Sequence, residues 1–318
     1  MLNGLFNGNK ALSTKPSWLK APAKFEAPEP RPLQVTRGQY PELLTGGLAM
    51  VLRLATGVFV LGWKPVSFEA NGFKVGRNLT VNEYALRLGP FAFRDEGTVL
   101  LKEAKLPLIL YEYESSPYCR KVREAACVLD LSMEMRPCPG ARQGFAQELL
   151  ERGGKYTVPY MVDPNTGTEL YESEDIIDYM VQEYTDPTTY DKKALWTLRG
   201  PFALWTGAFA ALVRGLPAGK VAKGARPENI DVKPLILYGY EPSPFVRIVR
   251  ETLCSLALPH VVVPCSRGSR NRDRLVAKTK TQFQVPYLED PNTNVALFES
   301  PNIVEYFNAV YTTNTAEE

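Results

Sequence analysis

The sequence predicts an α/β protein built from two tandem copies of one β-α-β-α-β-β-α sandwich, with a hydrophobic helical region ahead of them. Three alignments carry that expectation. PLILYEYESSPYCRKVREAACVLDL (107–131) matches PLILYGYEPSPFVRIVRETLCSLAL (234–258) without a gap, at a spacing of 127 residues. The same spacing carries VPYMVDPNTG (158–167) onto VPYLEDPNTN (285–294), and YESEDIIDYM (171–180) onto FESPNIVEYF (298–307). Repetition at a fixed period is the signature of a duplicated structural unit.

Each copy reads in the same order. PLILYEY is a short apolar run rich in aromatic and branched residues, as expected of a buried strand. SSP then turns the chain, and proline suits the first turn of a helix, where its missing N–H would have no partner anyway. Cys119, Val122, Ala126 and Leu129 recur at helical spacing behind it. A strand is expected over 133–136, a helix over 144–152 and a strand over 159–162. DPNTG reads as a hairpin turn, because Asp and Asn bond their own backbone and Gly supplies a positive φ. Residues 169–171 form the return strand, and Ser173 reads as the cap of a last helix with acids in its first turn.

The copies span 106–185 and 233–312. Residues 1–40 read as a flexible arm, with lysines but no acid before Glu26. The region 41–105 holds GGLAMVLRLATGVFVLGW, apolar from Gly46 to Trp63 and about as long as a bilayer is thick. Arg53 in its middle and several glycines weaken it as a span. The linker 186–232 holds a second apolar stretch, GPFALWTGAFAALVRG (200–215). Two core helices that pack together and clamp the domains are expected here. A membrane contact through Gly46 to Trp63 is the alternative. Residues 68–103 show short strand-like pieces with no nameable chemistry.

Apolar residues make up 45% of the chain and charged residues 23%, ordinary values for a globular protein. The net charge of +2 comes from 37 basic and 35 acidic residues scattered among one another, which argues against a nucleic-acid partner. A single histidine, His260, removes Ser-His-Asp catalysis and leaves few ligands for zinc, so no metal is expected. Five cysteines do not make a disulfide framework and point to a reducing compartment.

The motif S-P-[YF]-x-R-x-V-R-E after a strand, V-P before a strand and E-S at a helix start occur in that order twice. They resemble the N-terminal domain of glutathione S-transferases and the related glutaredoxins, a thioredoxin-like fold, over 107–184 and 234–311. The tandem arrangement with its hydrophobic lead is similar to a group of plant and algal plastid proteins. More distantly, it is similar to membrane-associated prostaglandin E synthase type 2. The resemblance implies glutathione as ligand or co-substrate, and residence in the chloroplast, soluble or membrane-associated, with the cytoplasm as the alternative.

The resemblance also assigns residues. A Val158-Pro159 bond that is cis, as in the family, would turn the Val158 backbone toward the cysteinyl unit of the tripeptide. Glu172 and Ser173, at a helix start, suit the γ-glutamyl end. Ser116 at another helix start, with Tyr118 beside it, is placed to stabilise the bound thiolate. The second-copy equivalents are Ser243, Phe245, Val285, Pro286, Glu299 and Ser300. In glutaredoxins the nucleophile is the first cysteine of the motif, and here that place is Ser116. Cys119 stands in the resolving position. A serine forms no mixed disulfide, so the implied pattern is that of serine-type transferases.

Cys127 pairs with Cys254 and Cys138 with Cys265 in the repeat, all expected to be core. Only Cys119 lacks a counterpart, Val246 standing in its place, which marks copy one as the more active. The blander reading of these residues is a helix cap and fold geometry. A complete transferase also follows this domain with a helical domain that forms the electrophile pocket, whereas here only residues 185–230 separate the copies. Two other functions remain open: a non-enzymatic scaffold or assembly protein with vestigial pockets, and a thiol oxidoreductase that uses Cys119 with Cys138.

Overall fold

The computed structural model describes residues 16–23, 25–31, 35, 39–51, 63–66, 85–88, 91–95, 102–186, 195, 198–266 and 269–313. Helix α1 (Tyr40–Val51) precedes strands β1 (Trp63–Val66), β2 (Ala85–Leu88) and β3 (Phe91–Asp95), which form a small antiparallel sheet in the order β1-β3-β2. Copy one follows as β4 (Leu108–Glu112), α2 (Pro117–Val128), β5 (Met133–Pro137), α3 (Ala146–Gly153), β6 (Tyr160–Asp163), β7 (Thr168–Tyr171) and α4 (Ser173–Tyr184). Helix α5 (Gly200–Val213) connects it to copy two. That copy runs β8 (Leu235–Gly239), α6 (Pro244–Ser255), β9 (His260–Pro264), α7 (Arg270–Thr279), β10 (Tyr287–Asp290), β11 (Val295–Phe298) and α8 (Ser300–Tyr311).

The expected order is thus present twice, and the cores match position for position. Leu110, Val122, Ile176 and Met180 are buried in copy one, and Leu237, Val249, Ile303 and Phe307 in copy two. The DPNT turn works as its chemistry predicts. Asp163 accepts from the Asn165 N–H at 2.8 Å and, through its other oxygen, from Tyr179 at 2.7 Å and Tyr184 at 2.5 Å. Asp290 repeats the scheme with Asn292 and Tyr311 at 2.7 and 2.6 Å, and with Tyr306. A buried carboxylate is tolerated here because the last helix of each copy supplies phenol donors.

The copies share one eight-stranded sheet in the order β11-β10-β8-β9-β5-β4-β6-β7. It closes at its centre, where β5 and β9 run antiparallel with Met133 opposite Val262, Glu134 opposite Val261 and Met135 opposite His260. Because 134 and 261 are equivalent positions, a local twofold axis passes between them. On the α2–α6 side of that axis lies a buried ion cluster. The Arg250 guanidinium donates to Glu114 at 3.0 and 3.2 Å and to Glu241 at 3.1 Å. Arg123, its equivalent, reaches Glu241 at 3.3 Å and Glu114 at 3.3 Å, and also pairs with Glu112. Each arginine therefore holds carboxylates from both copies.

Three expectations change. The helix expected between Gly46 and Trp63 is described as Tyr40–Val51, starting six residues earlier; residues 52–62 lie outside the described residues, and Trp63 opens a strand. Among the described residues no helix is long and apolar enough to cross a membrane. The described part of the arm is packed rather than flexible: Leu19 is buried in the core of copy two, and Phe25 meets the Tyr306 ring at 5.7 Å. Apolar side chains at 18, 19, 21 and 25 account for it. Finally, Glu172 rather than Ser173 is the N-cap of α4, and no side chain caps that helix. Helices α1 and α5 do pack together, joined where Arg214 donates to the Thr45 hydroxyl at 2.6 Å. α5 rests on α2 and α1 on α6.

Candidate functional site

The β4–α2 turn places Ser116 as the N-cap of α2, with extended backbone and a hydroxyl that accepts from the Cys119 N–H at 3.3 Å. Ser243 does the same for the Val246 N–H, also at 3.3 Å. Both hydroxyls keep their own proton to donate, since capping uses only an oxygen lone pair. Ser116 is 3% exposed, while Tyr118 beside it is 48% exposed. Phe245 is half-buried.

The Val158-Pro159 and Val285-Pro286 bonds are both cis, with each proline buried and each valine half-buried. At the start of α4, Glu172 takes φ 62° and ψ 118°, and Glu299 takes φ 70° and ψ 112° at the start of α8. A side-chain-bearing residue in this region is a backbone outlier, held only where its surroundings demand it. Finding it twice shows that the duplication preserved a strained geometry. Lys121 of α2 ion-pairs with Glu174 of α4, so the structure brings these two helices together at the first turn of α4.

The two copies differ in what lies on the Glu-Ser pair. In copy two the N-terminal arm covers it: the Arg31 N–H donates to the Glu299 carboxylate at 2.7 Å and the Gln39 amide to the Ser300 hydroxyl at 2.9 Å. In copy one Glu172 is exposed, and among the described residues nothing bonds its carboxylate. The first N–H groups of α4 have no side-chain cap, which leaves donors for an anion. The copy-one site is bordered instead by the segment after α5. The Ser115 hydroxyl donates to the Pro217 carbonyl, and the Val221 N–H donates to Gln143 at 2.8 Å. Gly140 permits this approach, because a Cβ there would lie 2.5 Å from the Gly219 oxygen.

All five cysteines are buried and free. Burial pushes the Cys119 and Cys127 thiols up to about 12 and raises Cys138, Cys254 and Cys265 as well. They are neutral thiols near pH 7, which opposes dithiol exchange through Cys119 and Cys138. Among the described residues no group of three or more His, Cys, Asp or Glu side chains is arranged to hold a metal.

One feature escaped sequence reading. Val246 in copy two is matched by Gly239, where a Cβ would lie 2.6 Å from the valine. In copy one the pair is Cys119 and Glu112. The small thiol leaves room for the buried Glu112 side chain that binds Arg123. The change at 119 therefore travels with a change at 112, a signal that the aligned copies did contain.

The family model described as glutathione S-transferase, N-terminal domain, matches residues 110–188 and again 237–315. Among solved structures, a Bombyx mori glutathione transferase in complex with GTT is similar at 30% identity, over 29% of this chain and 42% of that one, with a TM-score of 0.25. A second structure of a Bombyx mori glutathione transferase gives 31% identity over the same shares, with a TM-score of 0.24. The chain thus spans less than half the length of these relatives. No curated protein matches it. With two glutathione S-transferase N-terminal domains in tandem, the chain is a glutathione S-transferase-like protein of the thioredoxin fold.

Proposed function

We propose that copy one binds glutathione and presents its thiolate to an electrophile. The observation that carries this reading is the strained Glu-Ser helix start, inherited twice, open at Glu172 and covered at Glu299. In this reading the uncapped N–H groups of α4 and the Ser173 hydroxyl hold the γ-glutamyl carboxylate, and Glu172 receives its ammonium. Val158, Pro159 and Tyr118 flank the peptide. The Ser116 hydroxyl donates to the sulfur while still capping α2, which favours the thiolate. The sulfur then forms the new bond as the electrophile's leaving group departs with its electron pair. Chloroplast residence belongs to the same proposal, and imaging a fluorescent fusion of the full chain tests it.

Thermal unfolding in a glutathione titration tests binding. Ligand at a hundredfold over Kd contributes about 2.7 kcal/mol, an upward shift in Tm of several degrees. Ser173→Ala is expected to abolish the shift. Ser116→Ala is expected to keep it while losing the thiolate absorbance of the bound ligand.

A second reading, a scaffold with vestigial pockets, is favoured by the chain's own arm lying on the copy-two site and by the segment after α5 bordering that of copy one. Absence of any shift at millimolar glutathione selects it.

A further inference from the structure

Helices α1 and α5 present large apolar side chains outward among their described residues. A surface helix ordinarily buries its large apolar residues and shows its polar ones. Among the described side chains of α5 the buried residues are small, Ala203, Gly207, Ala210 and Ala211, and Arg120 donates to the Gly207 carbonyl at 3.4 Å. Trp205 (74% exposed), Phe209 and Leu212 face outward at helical spacing, continued by Leu216 in the turn beyond, while Leu204 and Val213 are half-buried. On α1, Tyr40, Leu44 (70% exposed) and Leu48 face outward four residues apart. Six of the ten exposed large hydrophobics among the described residues thus lie on this one helix pair, and a seventh, Leu216, follows it directly. Such a concentration marks an interaction surface rather than chance exposure.

The chemistry around the patch favours one occupant. From 192 to 227 the chain carries seven Lys and Arg residues and no acid. Arg199 and Arg214 are held by acids of the two copies, Asp178 with Glu174 and Glu251, and Arg226 stacks on Trp18. Lys220 and Lys223, just beyond α5, are exposed. Over their described residues, 12 and 14 in number, the helices measure about 18 and 21 Å, less than the hydrocarbon thickness of a bilayer, about 30 Å. They can lie in its interface, where aromatic rings sit among headgroups and flanking lysines meet anionic lipid.

We propose that the paired outer faces of α1 and α5 form a monotopic docking surface for an anionic lipid bilayer. It places the glutathione S-transferase-like domains at a membrane surface, and it does not depend on glutathione binding.

Flotation of the full-length chain with vesicles tests this. One vesicle set is phosphatidylcholine alone, and the other has one third of it replaced by phosphatidylserine. The protein is expected to float with the mixed vesicles and to be released as salt rises. Trp205→Glu with Phe209→Glu should cut flotation at least tenfold. Because those variants could disturb folding, Lys220→Gln with Lys223→Gln provides a second arm, expected to weaken binding about thirtyfold with an unchanged Tm. Three results overturn the proposal: wild-type protein left at the bottom with both vesicle types, equal flotation on neutral and anionic vesicles, or a wild-type dimer that the glutamate variant converts to monomer. The last would make the face an interface between copies of this chain.

Discussion

Position 119 shows how a single residue can look chemical and be steric. Its thiol is buried, raised in pKa to about 12 and adjacent to Glu112, so alkylation of Cys119 in the native protein is expected to be slow. The larger consequence is packing. Cys119→Val alone should destabilise copy one by about 1–3 kcal/mol through overpacking. Glu112→Gly alone removes a buried acid from Arg123 and is costly, but combining it with Cys119→Val recreates the copy-two pair and should lose less than the two single variants summed. Denaturant melts of the two single variants and the double variant measure the coupling, and strict additivity would refute the steric account.

Glu172 offers the complementary case. Strain at its left-handed φ is of order 1–3 kcal/mol. Glu172→Gly is therefore expected to raise stability by about 1 kcal/mol while removing glutathione binding. Equal or lower stability in denaturant would remove strain from the account.

The His260 Nδ1–H, packed at the sheet junction, donates to the Leu258 carbonyl at 2.9 Å, and burial lowers the imidazole pKa from 6.5 to about 4. A depressed histidine is neutral in the fold. Its contribution is full above pH 6.5 and is lost as pH falls toward 4, by about 3 kcal/mol. Copy one has Met133 at this place, so His260→Met should remove that part of the acid sensitivity in melts across the window.

At the scale of elements, the N-terminal arm and α8 decide which copy is open. The arm lies along α8, with Trp18 edge-on to Tyr311 at a ring distance of 6.3 Å, and its later residues reach Glu299 and Ser300. The Arg31 N–H stands where the proposed ligand's ammonium would stand in copy one. Arg31→Pro removes that donor, and Gln39→Ala removes the bond to Ser300. The combined variant is expected to bind two equivalents of glutathione by calorimetry where the wild-type chain binds one. An unchanged stoichiometry would mean that the arm does not close copy two.

At the scale of the whole molecule, duplication made a single body. The β5–β9 pairing fuses two sheets, and Arg123, Arg250, Glu114 and Glu241 cross-link the copies at the axis. The neighbouring arginines hold Glu114 and Glu241 below the usual carboxylate range. Their contribution is therefore present above pH 4.5 and is lost as acid protonates them. Glu241→Ala leaves three buried guanidinium groups, those of Arg120, Arg123 and Arg250, short of an acid and should cost about 3–5 kcal/mol. It should also reveal separate melting of the copies by calorimetry. A single unshifted transition would show that the sheet junction alone unites them.

The order of elements, the repeat, the turn chemistry and the motif positions of the site were legible in the sequence, because strand and helix periodicity, Asp-Asn-Gly turns and proline at a helix start are local effects. The arm's closure of copy two, the outward faces of α1 and α5 and the Glu112–Cys119 exchange were not. Each depends on which surfaces meet after the chain has folded, through contacts as distant as Arg31 to Glu299. Local chemistry determined two like domains; only their packing against each other and against the connecting segments made them unlike.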